Sequence, residues 1–520
     1  MKNIVGREIP KEILDMGYRP YQGQDSYNGK EFQKVGPKVR VAGRGSEAKV
    51  LPSLREAIAQ CGLRDGMTVS FHHHFRDGDY VMEMVMREIA EMGFRDIRLA
   101  CSSIGSAAQN VADYIEQGIV TGLTTSGIRD RIGEAVSYGK LKNVAVLRSH
   151  GGRVRAIESG EIHIDVAFIG APTCDEYGNA SGKGGKSDCG SLSYAEVDAL
   201  HADRVVVITD TLVPFPNKPS HIDGVNVDFV VVVDAIGNPK KIASAAARIT
   251  TNPRDLAIAE SCVEVMRALP YFKDGFSFQT GVGGPSIATT IFLRRHLHEM
   301  GIRMGWIVGG ISTPMVELLK DNLVGYIADV QDFDLGAVQS LGTDPRHFDI
   351  SVSEYSNAFN KGAFVNKLDF VILSALEADV DFNVNVLTGS DGVLRGAPGG
   401  HPDPAAASKC CIIVTPLVRG RIPTICDRVV TVTTAGESVD VIVTDYGVAV
   451  NPNRPDLKEA LDRAGIAVTD IHKLRDTAYS IVGTPDDIRF EDRVVAVVEA
   501  RDGTVMDVVR QVKPFNIDEA

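Results

Sequence analysis

Polar and apolar residues alternate over Asp65-Gly66-Met67-Thr68-Val69-Ser70, and the period of two predicts a short strand. A polar turn follows. Met82, Val85, Met86 and Ile89 then recur at helical spacing on one face, and Glu91-Met92-Gly93 closes the segment with a glycine suited to a left-handed cap. The same phrase returns at an offset of 209: Asp274-Gly275-Phe276-Ser277-Phe278-Gln279, a Gly-rich turn, a helical segment, and Glu299-Met300-Gly301. Ile164–Ala171 is echoed by Leu368–Ala375, and Ala202–Val207 by Ala407–Ile412. Two copies at so long a period predict a duplicated domain, because solenoid units are far shorter.

Within each copy, apolar β-rich runs such as Val205–Ile208 and Phe229–Val233 alternate with helical segments. Strands that are apolar on both faces belong to parallel sheets covered by helices. The expected fold is therefore α/β, with two tandem similar lobes. Residues 1–50, glycine-rich and aperiodic, are expected to form an arm, 51–240 the first lobe, 241–269 an Ala- and Arg-rich helical connector, and 270–520 the second lobe. The tail from Val505 is expected to add a short strand or coil.

Bulk properties narrow the function. A 520-residue chain favours at least two cores. The formal net charge of −13, without a long basic run, argues against nucleic acid or an anionic membrane as a partner. Eight scattered cysteines with no C-x-x-C pair point to a reducing compartment. The sequence starts without an apolar signal core and contains no apolar run near the ~20 residues of a membrane span. A cytoplasmic protein is the expectation.

Four features sit where chemistry can occur. Ser70-Phe71-His72-His73-His74-Phe75-Arg76-Asp77-Gly78-Asp79 follows the first strand. Neighbours in an extended segment point to opposite sides, so His72 and His74 can share a metal that His73 cannot. With no third ligand at a telling spacing, the cluster reads as an anion-binding loop or as structural histidines, and no metal is expected. Gly281-Val282-Gly283-Gly284-Pro285 joins a strand to a helix, and its N–H groups suit a phosphate or an oxyanion, or simply make a tight turn. It fails as a dinucleotide fingerprint, because Ser286 takes the sixth position and Met304–Val308 supplies no acid for a ribose. Gly182–Ser187 mimics a P-loop ending, but Ala180 stands where the first glycine is required, which leaves a basic loop near an anionic ligand. Lastly, Glu377 ends an apolar strand about twenty residues before the Arg395–His401 turn. That is a place for a nucleophile, or for an ordinary cap or ion pair.

Taken together, the strand ending Ser374-Ala375-Leu376-Glu377-Ala378-Asp379, the turn Gly399-Gly400-His401-Pro402-Asp403 and the run Asp440–Ala449 resemble the coenzyme A transferase and acetyl-CoA hydrolase superfamily. The triple-histidine run Asp65–Asp79 is similar to that of the citrate lyase alpha subunit family, and the resemblance extends over nearly the whole chain. It implies lobes of the coenzyme A transferase type and a transferase that exchanges acetyl for citryl on a carrier thiol through an acetyl-citrate anhydride, releasing acetate. It also implies a beta subunit that cleaves the citryl thioester, and a gamma acyl carrier protein bearing a coenzyme A-like phosphopantetheine group. This chain itself would then hold no cofactor covalently. On that reading His72, His73, His74 and Arg76 hold citrate, Gly281, Gly283 and Gly284 face the acyl thioester or CoA, and Glu377, Gly399 and Gly400 are catalytic. His401 and Pro404 stand where relatives usually carry Gln and Phe. The alternative is a coenzyme A transferase or acetyl-CoA hydrolase that acts on free acyl-CoA through a glutamyl thioester at Glu377. The resemblance favours a ternary complex, with Glu377 positioning rather than attacking.

Overall fold

The computed structural model describes residues 1–36, 48–242 and 250–513. Two large sheets carry the fold. The first has ten strands in the spatial order Val50–Leu51, Phe229–Val232, Arg204–Thr209, Val166–Gly170, Thr68–Phe71, Ile97–Cys101, Val120–Thr125, Ala145–Leu147, Phe490–Glu499 and Val505–Val512. The second has eight, running His347–Asp349, Val324–Asp332, Met304–Ile311, Ser277–Thr280, Phe370–Ser374, Cys410–Val414, Val441–Thr444 and Gly447–Val450. All neighbours are parallel except the last pair of each sheet, which is an antiparallel hairpin. Seven strands, from Phe229–Val232 to Ala145–Leu147, match the seven of the second sheet read from Val441–Thr444 back to His347–Asp349. The sequence repeat is thus a repeat of topology.

The duplicated hydrogen bonds explain which residues the repeat kept. Asp165 accepts the N–H of Thr68 at 2.8 Å, and Asp369 accepts that of Ser277 at 2.9 Å, so one carboxylate pins the start of each central strand. Asp65 accepts from the Arg95 N–H and Asp274 from that of Arg303. Asp175 with Asn179, and Asp379 with Asn383, close matching turns. Between these polar anchors Val205, Val206, Val207 and Ile208 are buried, as strands covered on both faces must be.

Among the seven matched strands of each sheet the chain starts at the central one, builds outward to one side, then crosses back to build the other; the short edge strand Val50–Leu51 precedes them in the first sheet. Thr68–Phe71 lies between Ile97–Cys101 and Val166–Gly170, and Ser277–Thr280 between Met304–Ile311 and Phe370–Ser374. Connections leave such a reversal in opposite directions, which opens a crevice at the carboxyl ends of the strands, where ligands bind in open α/β sheets.

Two segments depart from the expected boundaries. Phe490–Val512 lies within the 270–520 span assigned to the second lobe, yet it pairs with Ala145–Leu147 and completes the first sheet. The physical reason is an otherwise open sheet edge, which the apolar run Val494–Val498 covers. The tail from Val505 is a full strand, Val505–Val512. The first residues are bound to that hairpin: Asn3 donates to the Val505 and Met506 carbonyls, and the Tyr21 N–H to Val505. Positions 37–47 of the expected arm and 243–249 of the expected connector lie outside the described residues; the rest of the connector contains the helix Pro253–Ala268. All eight cysteines are buried.

The hairpin is locked by a buried bidentate pair, with Arg148 Nε and Nη2 at 2.6 and 2.7 Å from the Glu499 carboxylate. Removing one partner of such a pair strands the other charge. Glu499→Ala will therefore destabilise the chain by about 3–5 kcal/mol, read as an earlier urea transition, and a loss under about 1 kcal/mol would contradict this role.

Candidate functional site

A cavity of about 470 Å³ lies between the two halves, at the carboxyl ends of both central strands. From the first half it is lined by His73, Arg76, Arg129, His150 and Tyr194, and from the second by Gln279, Gln331, Phe333, Tyr355 and the turns around Gly283 and Gly400. Apolar side chains, among them Val330, Leu373, Leu376 and Val386, complete the wall.

His73 follows directly on the strand end. Its backbone N–H and Nδ1 lie 3.1 and 2.6 Å from the Ser102 hydroxyl, and Gln331 of the second half donates to its carbonyl. The ring packs against Tyr194 at 4.6 Å and His150 at 5.5 Å. His150 opens the helix His150–Glu158, capped by Ser149, and its Nδ1 lies 2.8 Å from the Ser126 hydroxyl. Burial, then neighbouring cations, hold both imidazoles neutral: His73 sits well below the usual histidine range and His150 is pulled down to about 3.

Arg76 adopts φ +48° and stacks its guanidinium 4.4 Å over the Phe333 ring. A Cβ at Gly310 would meet Phe333 at 1.9 Å, so that glycine makes room for the aromatic platform. Among the described residues neither Arg76 nor Arg129 has an ion-pair partner. Arg76 and Arg129 thus face the cavity uncompensated, and Arg419, which also lines it, donates to the Ala375 carbonyl.

The turns offer backbone donors. Gly283 precedes the helix Gly284–Met300, and a Cβ there would lie 2.1 Å from the Ser374 hydroxyl, so only glycine lets the turn close on the neighbouring strand. Among the described residues the N–H groups of Gly283 and Gly400 have no protein acceptor, and both glycines line the cavity.

Comparison with known proteins shows the family. Residues 47–512 match the model of the citrate lyase alpha subunit family, CitF. The citrate lyase alpha chain of Escherichia coli is 52% identical over 482 residues, covering 93% of this chain and 94% of that one. The Klebsiella pneumoniae alpha chain is 47% identical over 513 residues, covering 99% of each.

The chain belongs to the citrate lyase alpha subunit family.

A Streptococcus mutans chain described as a citrate lyase alpha subunit, solved in complex with citrate, superposes with a TM-score of 0.96 at 50% identity, covering 99% of this chain and 100% of that one. The alpha subunit of Acinetobacter baumannii malonate decarboxylase shares only the fold, with a TM-score of 0.63 at 14% identity over 84% of this chain and 88% of that one. Family membership makes the chain a transferase and one subunit of a multi-subunit enzyme, and it disfavours the alternative that acts on free acyl-CoA. No helix among the described residues is long and apolar enough to cross a membrane.

Placement corrects several expectations about the site of this citrate lyase alpha family member. Of the histidine triplet only His73 reaches the cavity. His72 Nε2 is 2.9 Å from the buried Asp198 carboxylate, and His74 accepts the Tyr194 N–H from behind. The alternation was right, but the side facing the cleft holds one histidine and the interior two. Gly281 and Gly399 line the cavity, yet their N–H groups donate to the Ile372 and Ser126 carbonyls, so neither can bind an oxyanion. Gly284 does not line it; its Cβ position faces Thr250.

Glu377 also lies outside the lining, one residue past Leu376, which belongs to it. Its Oε1 accepts from the Val430 N–H and from Asn385, and burial raises its pKa. His401 does line the cavity, with Nδ1 held 2.8 Å from Thr434. The basic loop Gly182–Ser187 contributes nothing to the lining.

His150, Tyr194 and Tyr355 went unread in the sequence. Only Ser149-His150-Gly151-Gly152 carried a signal: a capping serine before a helix, with glycines for close approach. A Cβ at Gly151 would meet the Ser356 carbonyl at 2.1 Å.

A neutral buried histidine makes acid destabilising. Its folded pKa lies below the unfolded value of about 6.5, so the stability it permits is present above pH 6.5 and is lost as pH falls toward its folded value. The melting temperature of the wild type will therefore drop more steeply from pH 6.5 to 5 than that of His150→Phe; equal slopes would mean that His150 is not held neutral.

Proposed function

We propose that the chain catalyses exchange of acetyl for citryl on the thiol of an acyl carrier protein, within a complex whose beta subunit cleaves the citryl thioester and whose gamma subunit is the carrier. The supporting observation is one cavity lined both by two guanidinium groups without ion-pair partners among the described residues, from Arg76 and Arg129, and by Gly283 and Gly400, whose N–H groups have no acceptor there. The similar chain solved with citrate supports the choice of acid.

The chemistry follows from that arrangement. A carboxylate oxygen of citrate attacks the acetyl carbonyl; the new C–O bond forms, the C–S bond breaks, and sulfur leaves as thiolate. The thiolate then attacks the citryl carbonyl of the mixed anhydride. A C–S bond forms, the anhydride C–O bond breaks and acetate departs. No proton is gained or lost over the cycle and no ATP is needed, in keeping with neutral imidazoles and the broken P-loop match. Arg76 and Arg129 draw a trianion into an otherwise acidic protein. Gly283 and Gly400 are placed to stabilise tetrahedral oxyanions, a contribution of roughly 10²–10³-fold in rate per donor. Leu373, Leu376 and Val386 offer an apolar wall for the pantetheine arm of the carrier, and no residue of this chain need carry it covalently.

The purified chain with acetyl-CoA and citrate will form citryl-CoA and acetate, and Arg76→Ala will raise the KM for citrate about 10-fold or more with a smaller change in kcat. Acetyl-CoA hydrolysis that proceeds equally well without citrate would overturn the proposal. Glu377→Gln keeps the acceptor for Val430 and Asn385, so turnover will stay within about tenfold of wild type. A fall of 10³-fold or more, with reductive labelling of Glu377 by borohydride in the wild type, would instead establish a glutamyl thioester.

A further inference from the structure

The two cavity histidines are locked in opposite tautomers. The Ser126 hydroxyl donates its only proton to the Ser102 carbonyl, which can do nothing but accept. Toward His150 Nδ1, 2.8 Å away, Ser126 must therefore accept, so His150 is protonated at Nδ1 and its Nε2 carries a lone pair. Ser102 is the reverse case. Its oxygen already accepts the His73 N–H, and among the described residues its hydroxyl proton has one acceptor, His73 Nδ1 at 2.6 Å. His73 is then protonated at Nε2. Among the described residues neither Nε2 has a protein partner, and both rings line the cavity.

We infer that His73 and His150 together read an α-hydroxy carboxylate, with His73 Nε2–H donating to the carboxylate and His150 Nε2 accepting the hydroxyl proton. The rings are nearly parallel, at 16°, with centroids 5.5 Å apart, a separation that a hydroxyl and a carboxylate on one carbon can bridge. Burial keeps both rings neutral, so neither loses its assigned polarity at working pH. The inference rests on the proposed transfer to citrate and goes beyond it. It assigns the recognition of the tertiary hydroxyl to a histidine and makes Ser126 a positioning residue that acts through the tautomer. Acids with the same carboxylates and no hydroxyl would leave the His150 lone pair without a donor, and a site built around a hydroxyl rejects the analogue that lacks it.

The test compares citrate with tricarballylate, which has the same three carboxylates and no hydroxyl, by calorimetry on the full chain. The wild type will prefer citrate by about 10–100-fold. His150→Phe will bring the two acids within about threefold by weakening citrate alone, whereas His73→Phe will weaken both equally. Long-range ¹⁵N spectra of histidine-labelled chain, assigned with the same two variants, will show His150 protonated at Nδ1 and His73 at Nε2 before any acid is added. Ser126→Ala will convert the His150 signal to a tautomer mixture and reduce the discrimination, an effect that a merely structural serine would not have. Equal binding of the two acids by the wild type, or the reverse tautomers, would overturn the inference and leave the transferase reading standing. Failure of both acids to bind would remove the citrate reading, and this inference with it.

Discussion

Asp198 lies fully buried, with its carboxylate gripped by Arg153 at 2.9 and 2.6 Å and approached by His72 Nε2 at 2.9 Å. Each partner belongs to a different element that faces the cavity. Arg153 is one turn along the helix that begins with His150, Asp198 one turn beyond Tyr194 on the helix Ser193–His201, and His72 immediately before His73. A third Arg153 bond, to the Ala100 carbonyl, adds the strand Ile97–Cys101. One buried ion pair therefore fixes the distances among His73, His150 and Tyr194. Buried pairs of this kind add little net stability compared with apolar packing, but breaking one leaves an uncompensated charge, so the arrangement cannot drift.

That wall would be useless without the second half opposite it, and short polar contacts hold the two together. Asp403 accepts from the Ser149 hydroxyl and the Gly151 N–H at 2.7 and 2.9 Å, just beyond the Gly399–Gly400 turn. The His150 N–H donates to the Gly399 carbonyl, and the Gly399 N–H to the Ser126 carbonyl. These bonds use N–H donors that would otherwise be free. They explain why only one glycine of that pair is left with a free N–H: the first welds the halves together and the second faces the cavity.

The two copies have diverged where function asked for it. The pairs Asp165/Asp369 and Asp175/Asp379 are retained because each satisfies backbone donors at the start of a strand or in a turn, a requirement that does not depend on the reaction. Two residues before the retained turn carboxylate, the first copy has Thr173 and the second Glu377. At the ends of the central strands, the first copy places histidines and an arginine, while the second places a glycine turn at a helix start. The cavity takes Arg76, Arg129, His73 and His150 from the first copy, and the glycine-turn donors together with Arg395, His401 and Arg419 from the second.

Periodicity and the repeat were enough to predict parallel sheets with central strands ending in polar turns, because burial and backbone hydrogen bonding act over a few residues and leave a local imprint. The motifs and the family resemblance named His73, Arg76, Gly283 and Gly400, all of which line the cavity. The sequence could not show which of His72, His73 and His74 faces the cleft, since alternation sets relative but not absolute direction, and the choice is made by Asp198. Nor could it show that Gly281 and Gly399 spend their donors elsewhere, that Glu377 turns from the cavity, that Phe490–Val512 closes the first sheet, or that His150 meets His73. Those outcomes were decided by contacts between residues far apart in the chain, whose partners leave no mark on the local spacing of either one.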